Sequence, residues 1–107
     1  MAQQETLLNI LVDVRTEPAA RERLEAMPEV RIIDMFREDE SEEFSRELPV
    51  DVLAETEVLF CTFPPSNLQA MTNLKLVQIS SAGYDQLLGL GLPARGIRVC
   101  NSTGLFD

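Results

Sequence analysis

Residues 7–14 (Leu-Leu-Asn-Ile-Leu-Val-Asp-Val) form an almost unbroken β-prone apolar run, which predicts a strand buried on both faces and therefore a parallel sheet. The period then changes. Ala20, Leu24 and Met27 recur at i, i+4 and i+7, with Arg21, Glu22, Arg23 and Glu25 facing outward. That spacing predicts an amphipathic helix with Thr16 as its N-cap, Pro18 in its first turn and Pro28 as its stop. Residues 30–36 read as a second strand, and Arg31 and Asp34 inside it suit a sheet edge.

Further along, residues 38–47 are a strongly acidic stretch that reads as a solvated loop or loose helix and carries no functional assignment. Residues 49–55 predict a short helix and 57–62 a third strand. Phe63-Pro64-Pro65 enforces a turn, and Ser66 is placed to cap a helical turn through Leu68 and Met71. A fourth strand is predicted at 74–79 and a fifth at 97–101. Between them lie Ser80-Ser81-Ala82-Gly83, a short helix near 84–90, and a stretch punctuated by Gly and Pro at 89–96. Strands alternating with helical segments give βαβ units with right-handed crossovers. The expected architecture is a single α/β domain over 1–107, flavodoxin-like, with a five-stranded parallel sheet in the order 2-1-3-4-5 and helices on both faces.

Length and composition fit that picture. The chain has 107 residues, 45% hydrophobic and 25% charged, as in one ordinary globular domain. Its net charge of −9, with Lys75 the only lysine, argues against nucleic acid and anionic membrane as partners. No apolar run approaches the roughly 20 residues of a membrane span, and Met1-Ala2-Gln3-Gln4-Glu5 lacks a basic leader, so the sequence reads as cytoplasmic. Charge is uneven: sixteen acidic residues face six arginines up to Glu57, whereas beyond it Asp85 and Asp107 face Lys75, Arg95 and Arg98. A nearly uncharged second half fits central strands, and also a surface that something else covers.

The chemistry available is limited. There is no histidine, which removes the commonest general acid/base near neutral pH. The two cysteines, Cys61 and Cys100, are too few for a zinc site or a disulfide scaffold. With the fourth strand between theirs they are expected about 9–10 Å apart, beyond the roughly 7 Å Cα limit for bridging. Cys61 ends a strand, but no Lys, Arg or His adjoins it in sequence to stabilise a thiolate, so it reads as packed and inert rather than as the nucleophile of a thiol enzyme. Gly89-Leu-Gly91-Leu-Pro-Ala94 matches the letters of a dinucleotide fingerprint but not its strand-turn-helix context, and reads as a connector. The turn after the first strand, Val14-Arg15-Thr16-Glu17-Pro18, lacks the Gly and hydroxyl run that cradles a flavin phosphate. A receiver-domain phosphoacceptor is excluded, because Cys61-Thr62 and Asn101-Ser102 stand where its Asp and Lys belong. Ser80-Ser81-Ala82-Gly83-Tyr84-Asp85 is the strongest remaining candidate. Its small residues let a ligand approach the backbone, and N–H groups opening a helical turn bind a carboxylate or phosphate without a charged side chain.

That segment also carries a resemblance. Asn73-Leu-Lys-Leu-Val-Gln-Ile-Ser-Ser-Ala-Gly-Tyr-Asp85, followed by Gly96-Ile-Arg-Val-Cys-Asn101 and Gly104, resembles the N-terminal half of the D-isomer-specific 2-hydroxyacid dehydrogenases. In that family an "NLK-apolar" strand leads into "S-A-G-x-D" and a "G-I-x-V-x-N" strand follows. The likeness is specific over residues 73–104 and only topological before Thr62. Gln86 departs from it, because many members carry a His there, at a position distinct from the catalytic histidine.

The resemblance implies the substrate-binding (catalytic) domain of an NAD- or NADP-dependent oxidoreductase acting on a small D-2-hydroxy or 2-oxo acid. Ala82, Gly83 and Ser81 are implied as the substrate-binding loop, with Phe63 and Pro64 shaping the pocket wall. The implied acid/base His, its Glu, the carboxylate-binding Arg and the nucleotide loop have no counterpart in these 107 residues. No catalytic, cofactor-binding or metal residue is therefore assigned, and the chain reads as cut before a nucleotide-binding domain. Alone it is expected to be inactive, with an uncharged face free to self-associate. The alternative reading is a stand-alone flavodoxin-like binding or regulatory module for small organic acids.

Overall fold

The computed structural model describes residues 7–39, 45–81 and 85–101. Strands β1 (Leu8–Asp13), β2 (Val30–Asp34), β3 (Val58–Cys61), β4 (Leu76–Ile79) and β5 (Arg98–Cys100) form one sheet. Their order is β2-β1-β3-β4-β5, and every neighbouring pair is parallel. Two α-helices, α1 (Pro18–Glu25) and α2 (Val50–Glu55), and three 3₁₀ turns at Leu68–Ala70, Asp85–Leu87 and Pro93–Arg95 make the crossovers. This is the α/β arrangement of flavodoxin-like order that the apolar runs predict.

β1 sits between β2 and β3, and its last four residues are all buried. β2 is an edge strand with Arg31 and Asp34 exposed, because a charged side chain retains its hydration there. The apolar residues fall into two clusters, one on each face. Leu11, Leu59, Val77 and Ile79 meet Leu53 of α2 and the 3₁₀ residues Leu68 and Leu87 on one face. Ile10, Val12 and Val14 meet Leu24 of α1, with Ile32 and Phe60, on the other. Helices thus lie on both faces, though unequally: α1 buries no residue completely. Each fully buried aliphatic side chain contributes about 1.5–3 kcal/mol from removal of apolar surface, so the α2 face carries most of the stability.

Two local expectations are corrected. The N-cap of α1 is Glu17, not Thr16: its carboxylate accepts the Ala20 N–H at 3.1 Å. A carboxylate at that place satisfies an otherwise unpaired amide and lies at the positive end of the helix. Ser66 does not cap the turn that follows it. Asn67 precedes the 3₁₀ turn, and its side chain bonds backward, accepting the Leu48 N–H at 3.1 Å and donating to the Leu48 carbonyl at 2.8 Å. The Ser66 N–H donates to the Arg46 carbonyl at 3.0 Å. The chain is therefore tied down at Arg46 and Leu48, where the acidic stretch ends. Gly96, in the left-handed conformation at φ 76°, closes the last 3₁₀ turn and aims the chain into β5. Among the described residues no helix is long and apolar enough to cross a membrane.

Candidate functional site

Parallel pairing puts the carboxyl ends of β3 and β4 side by side, with Cys61 opposite Ile79. The ladder continues one step past the strands, where the Ser80 N–H donates to the Cys61 carbonyl at 3.0 Å. Beyond it the Thr62 and Ser80 hydroxyls share a hydrogen bond of 2.7 Å. Gln86, in the 3₁₀ turn after β4, reaches back over this junction. Its Nε2 donates to the Thr62 carbonyl at 2.6 Å and lies 3.3 Å from the Ser81 hydroxyl. One amide thus joins the exits of both strands. The carboxyl rim of an open α/β sheet is where ligands gather.

Of the sequence-predicted residues, Ser81 lies on this rim, half-buried, while Pro64 is buried and Phe63 half-buried just past β3. Ala82 and Gly83 lie outside the described residues. Beside the rim opens a cleft of about 450 Å³, lined among others by Pro64, Ser66, Leu68, Gln86, Leu90 and Arg95. Among the described residues that line it, Arg95 contributes the one side chain of fixed positive charge. The guanidinium donates to the Met71 carbonyl at 2.7 Å, which uses one of its five N–H donors. The cleft therefore combines apolar walls, a hydroxyl and a cation, a set suited to a small carboxylic acid, while the Gln86 amide spends its donors on Thr62 and Ser81.

Gln86 and Arg95 are the residues the sequence reading missed as site components. Gln86 appears there as a departure from a family pattern, and Arg95 lies inside the Gly/Pro stretch treated as a connector. A usable signal existed for Arg95, one of only three cations beyond Glu57.

The sheet order reverses between β1 and β3, and this place is closed. Asp13, at the end of β1 and opposite Cys61 in register, forms an ion pair with Arg46, whose guanidinium also donates to the Met35 carbonyl at 2.6 Å. The Cys61 side chain beneath is fully buried. Burial pushes its thiol well above the ordinary range, and the Asp13 charge pushes it further in the same direction. Such a thiol remains protonated at neutral pH and is a poor nucleophile, which argues against thiol chemistry at this position. Cys100 is free and exposed. By strand alternation it shares the face of Gln78, opposite to that of Cys61 and Ile79.

Among the described residues no glycine turn leads from a strand into a helix, the geometry through which a dinucleotide pyrophosphate approaches backbone. Gly89 and Gly91 have positive φ, 81° and 70°, but they connect two 3₁₀ turns rather than leaving a strand for a helix. The exit of β1 into α1 carries Arg15, Thr16 and Glu17, with no glycine through which a pyrophosphate approaches backbone. Among the described residues no three Cys, Asp or Glu side chains come together as a metal would require. The chain matches no model of a known protein family and no curated protein.

Proposed function

We propose that this chain is the substrate-binding domain of an NAD(P)-dependent oxidoreductase that acts on the CH–OH group of a small D-2-hydroxy acid, or on the corresponding 2-oxo acid. The observation that carries the reading is the junction at the sheet rim. Gln86 binds both Thr62 and Ser81, so the turn at Phe63-Pro64 and the start of the Ser81-Ala82-Gly83 loop are held on one rim, beside a cleft that contains Arg95. These are the two segments that the family resemblance assigns to the substrate. Backbone N–H groups of Ala82 and Gly83 would take the carboxylate, each charge-assisted bond contributing about 1.5–3 kcal/mol.

In this reading hydride transfer is completed by a second, nucleotide-binding domain, which brings the acid/base histidine and holds the NAD or NADP. Leu88, Leu90 and Val99 are 65%, 39% and 38% exposed in the nearly uncharged half, an apolar surface of the kind a second domain covers. Left uncovered, it is also where the isolated chain would self-associate.

The test is a titration of the chain with a small D-2-hydroxy acid, followed by amide NMR shifts. Saturable shifts are expected at Ser81, Gln86 and the loop between them, weaker for the 3-hydroxy isomer, and lost in Gly83→Val. No saturable shift, or shifts confined to residues away from this rim, would overturn the reading. A coding sequence that continues into a strand and G-x-G-x-x-G separates the dehydrogenase from a stand-alone acid-binding module.

A further inference from the structure

The cleft beside the rim runs about the length of a strand. At one end stands Gln86, whose Nε2 lies 2.6 Å from the Thr62 carbonyl, one residue past the carboxyl end of β3. At the other stands Arg95, whose Nη2 lies 2.7 Å from the Met71 carbonyl, ahead of the amino end of β4. Both line the same cavity of about 450 Å³. The residues of β4, Leu76–Ile79, separate these two levels by about 10 Å at roughly 3.3 Å per residue. An acid the size of lactate occupies one end only.

The walls and the charge select what spans the whole. Much of the lining is apolar: Pro64, Pro65 and Leu68 are buried, and Leu90 is exposed. Among the described residues no carboxylate lines the cleft, although the chain carries 18 acidic residues against nine basic ones. Arg95 has no acidic partner among them either, whereas Arg15, Arg21, Arg31, Arg46 and Lys75 each have one. The bond to Met71 uses one of five N–H donors and restrains the planar fork, so the others meet an anion with little further loss of side-chain freedom. A single guanidinium matches the one charge of a carboxylate. A phosphate, with nearly two negative charges at neutral pH, would be left undercompensated.

We infer that the substrate of this rim is an elongated dicarboxylic acid. Its 2-hydroxy or 2-oxo acid end lies at Ser81, its methylene chain crosses Leu68 and Leu90, and its second carboxylate meets Arg95. This rests on the acid-binding reading of the rim and adds to it a residue that sets specificity: Arg95 holds the far carboxylate and takes no part at the reacting end. A forked guanidinium–carboxylate pair selects for charge and for length. A neutral tail of equal length displaces water from the cation and returns nothing in exchange.

The test titrates the full chain, followed by amide NMR, with D-2-hydroxy dicarboxylates from hexanedioate to octanedioate, with the D-2-hydroxy monocarboxylate of each length, and with D-lactate. At least one dicarboxylate is expected to bind about tenfold or more tighter than its monocarboxylate, to weaken with salt, and to shift the Ser81, Leu90 and Arg95 amides together. Arg95→Gln, at an exposed position, is expected to remove most of that preference. Arg95→Lys, which keeps the charge without the fork, is expected to retain part of it. Equal binding within every pair, or a preference that survives intact in Arg95→Gln, would overturn the inference, while shifts at Ser81 would leave the acid-binding reading standing. Dicarboxylate shifts at Arg95 without any at Ser81 would also overturn it, by separating the cleft from the rim. If none of these acids, D-lactate included, shifts Ser81 or Arg95, the reading itself falls and the inference with it.

Discussion

Arg46 forks its guanidinium onto both oxygens of Asp13, Nη1 3.1 Å from Oδ2 and Nη2 3.3 Å from Oδ1. The two side chains are only 12% and 4% exposed. The pair joins the end of β1 to the tail of the acidic stretch, over the point where the sheet order reverses. Two buried charges in contact are not strongly stabilising as a unit, but each becomes costly when the other is removed.

Arg46→Ala is therefore expected to cost about 3 kcal/mol or more, because it leaves a carboxylate buried without its partner. It also removes the donor to the Met35 carbonyl. Asp13→Ala/Arg46→Ala is expected to cost less than the two single changes added together. Urea unfolding followed by circular dichroism measures all three; strict additivity would show that the pair is not coupled.

The two thiols are expected to react at separate rates. Cys100 is exposed and Cys61 buried, so a thiol reagent modifies one equivalent promptly and the second only as the chain opens. The Cys61 thiol is held above its ordinary value of 9.0 by burial and by Asp13. An unfolded chain releases that proton as pH rises through about 9, while the folded chain retains it. Its contribution is thus fully present below pH 9 and falls above it, by up to about 1.4 kcal/mol per pH unit. Cys61→Ala, though less stable at neutral pH, is expected to show a flatter alkaline limb in urea unfolding measured between pH 8 and 10.

Gln86 is expected to act as a brace for the rim. Gln86→Ala removes the donor to Thr62 and is expected to cost about 1 kcal/mol and to speed amide exchange near Ser81. Gln86→Glu has the same shape but, when ionised, only accepts, so it faces the Thr62 carbonyl with a negative charge and is expected to cost more, about 2 kcal/mol. Lowering the pH until that carboxyl protonates restores a donor and part of the loss. Equal stabilities of both variants and the parent would remove Gln86 from this role.

Much of the architecture was legible because it rests on local pattern. The unbroken apolar run of β1 demands cover on two faces, and the alternation of such runs with helical segments leaves a parallel sheet with right-handed crossovers as the economical solution. Arg31 and Asp34 placed β2 at an edge for the same reason of solvation. The choice between Thr16 and Glu17 as N-cap was not legible, since both are competent acceptors and the direction in which the chain leaves β1 decides between them. Nor was the fate of Arg46. Within its acidic stretch it has the profile of a solvated charge, and only the Ser66 and Asn67 contacts to Arg46 and Leu48, about 20 residues away in sequence, bring it onto Asp13. The apolar runs of β3 and β4 do not by themselves say which of their faces is covered. Sequence alone determined which residues seek cover; the placement of α1 over β1, decided by tertiary packing, left Val58, Phe60 and Leu76 without it, because an eight-residue helix spans only part of a five-stranded sheet.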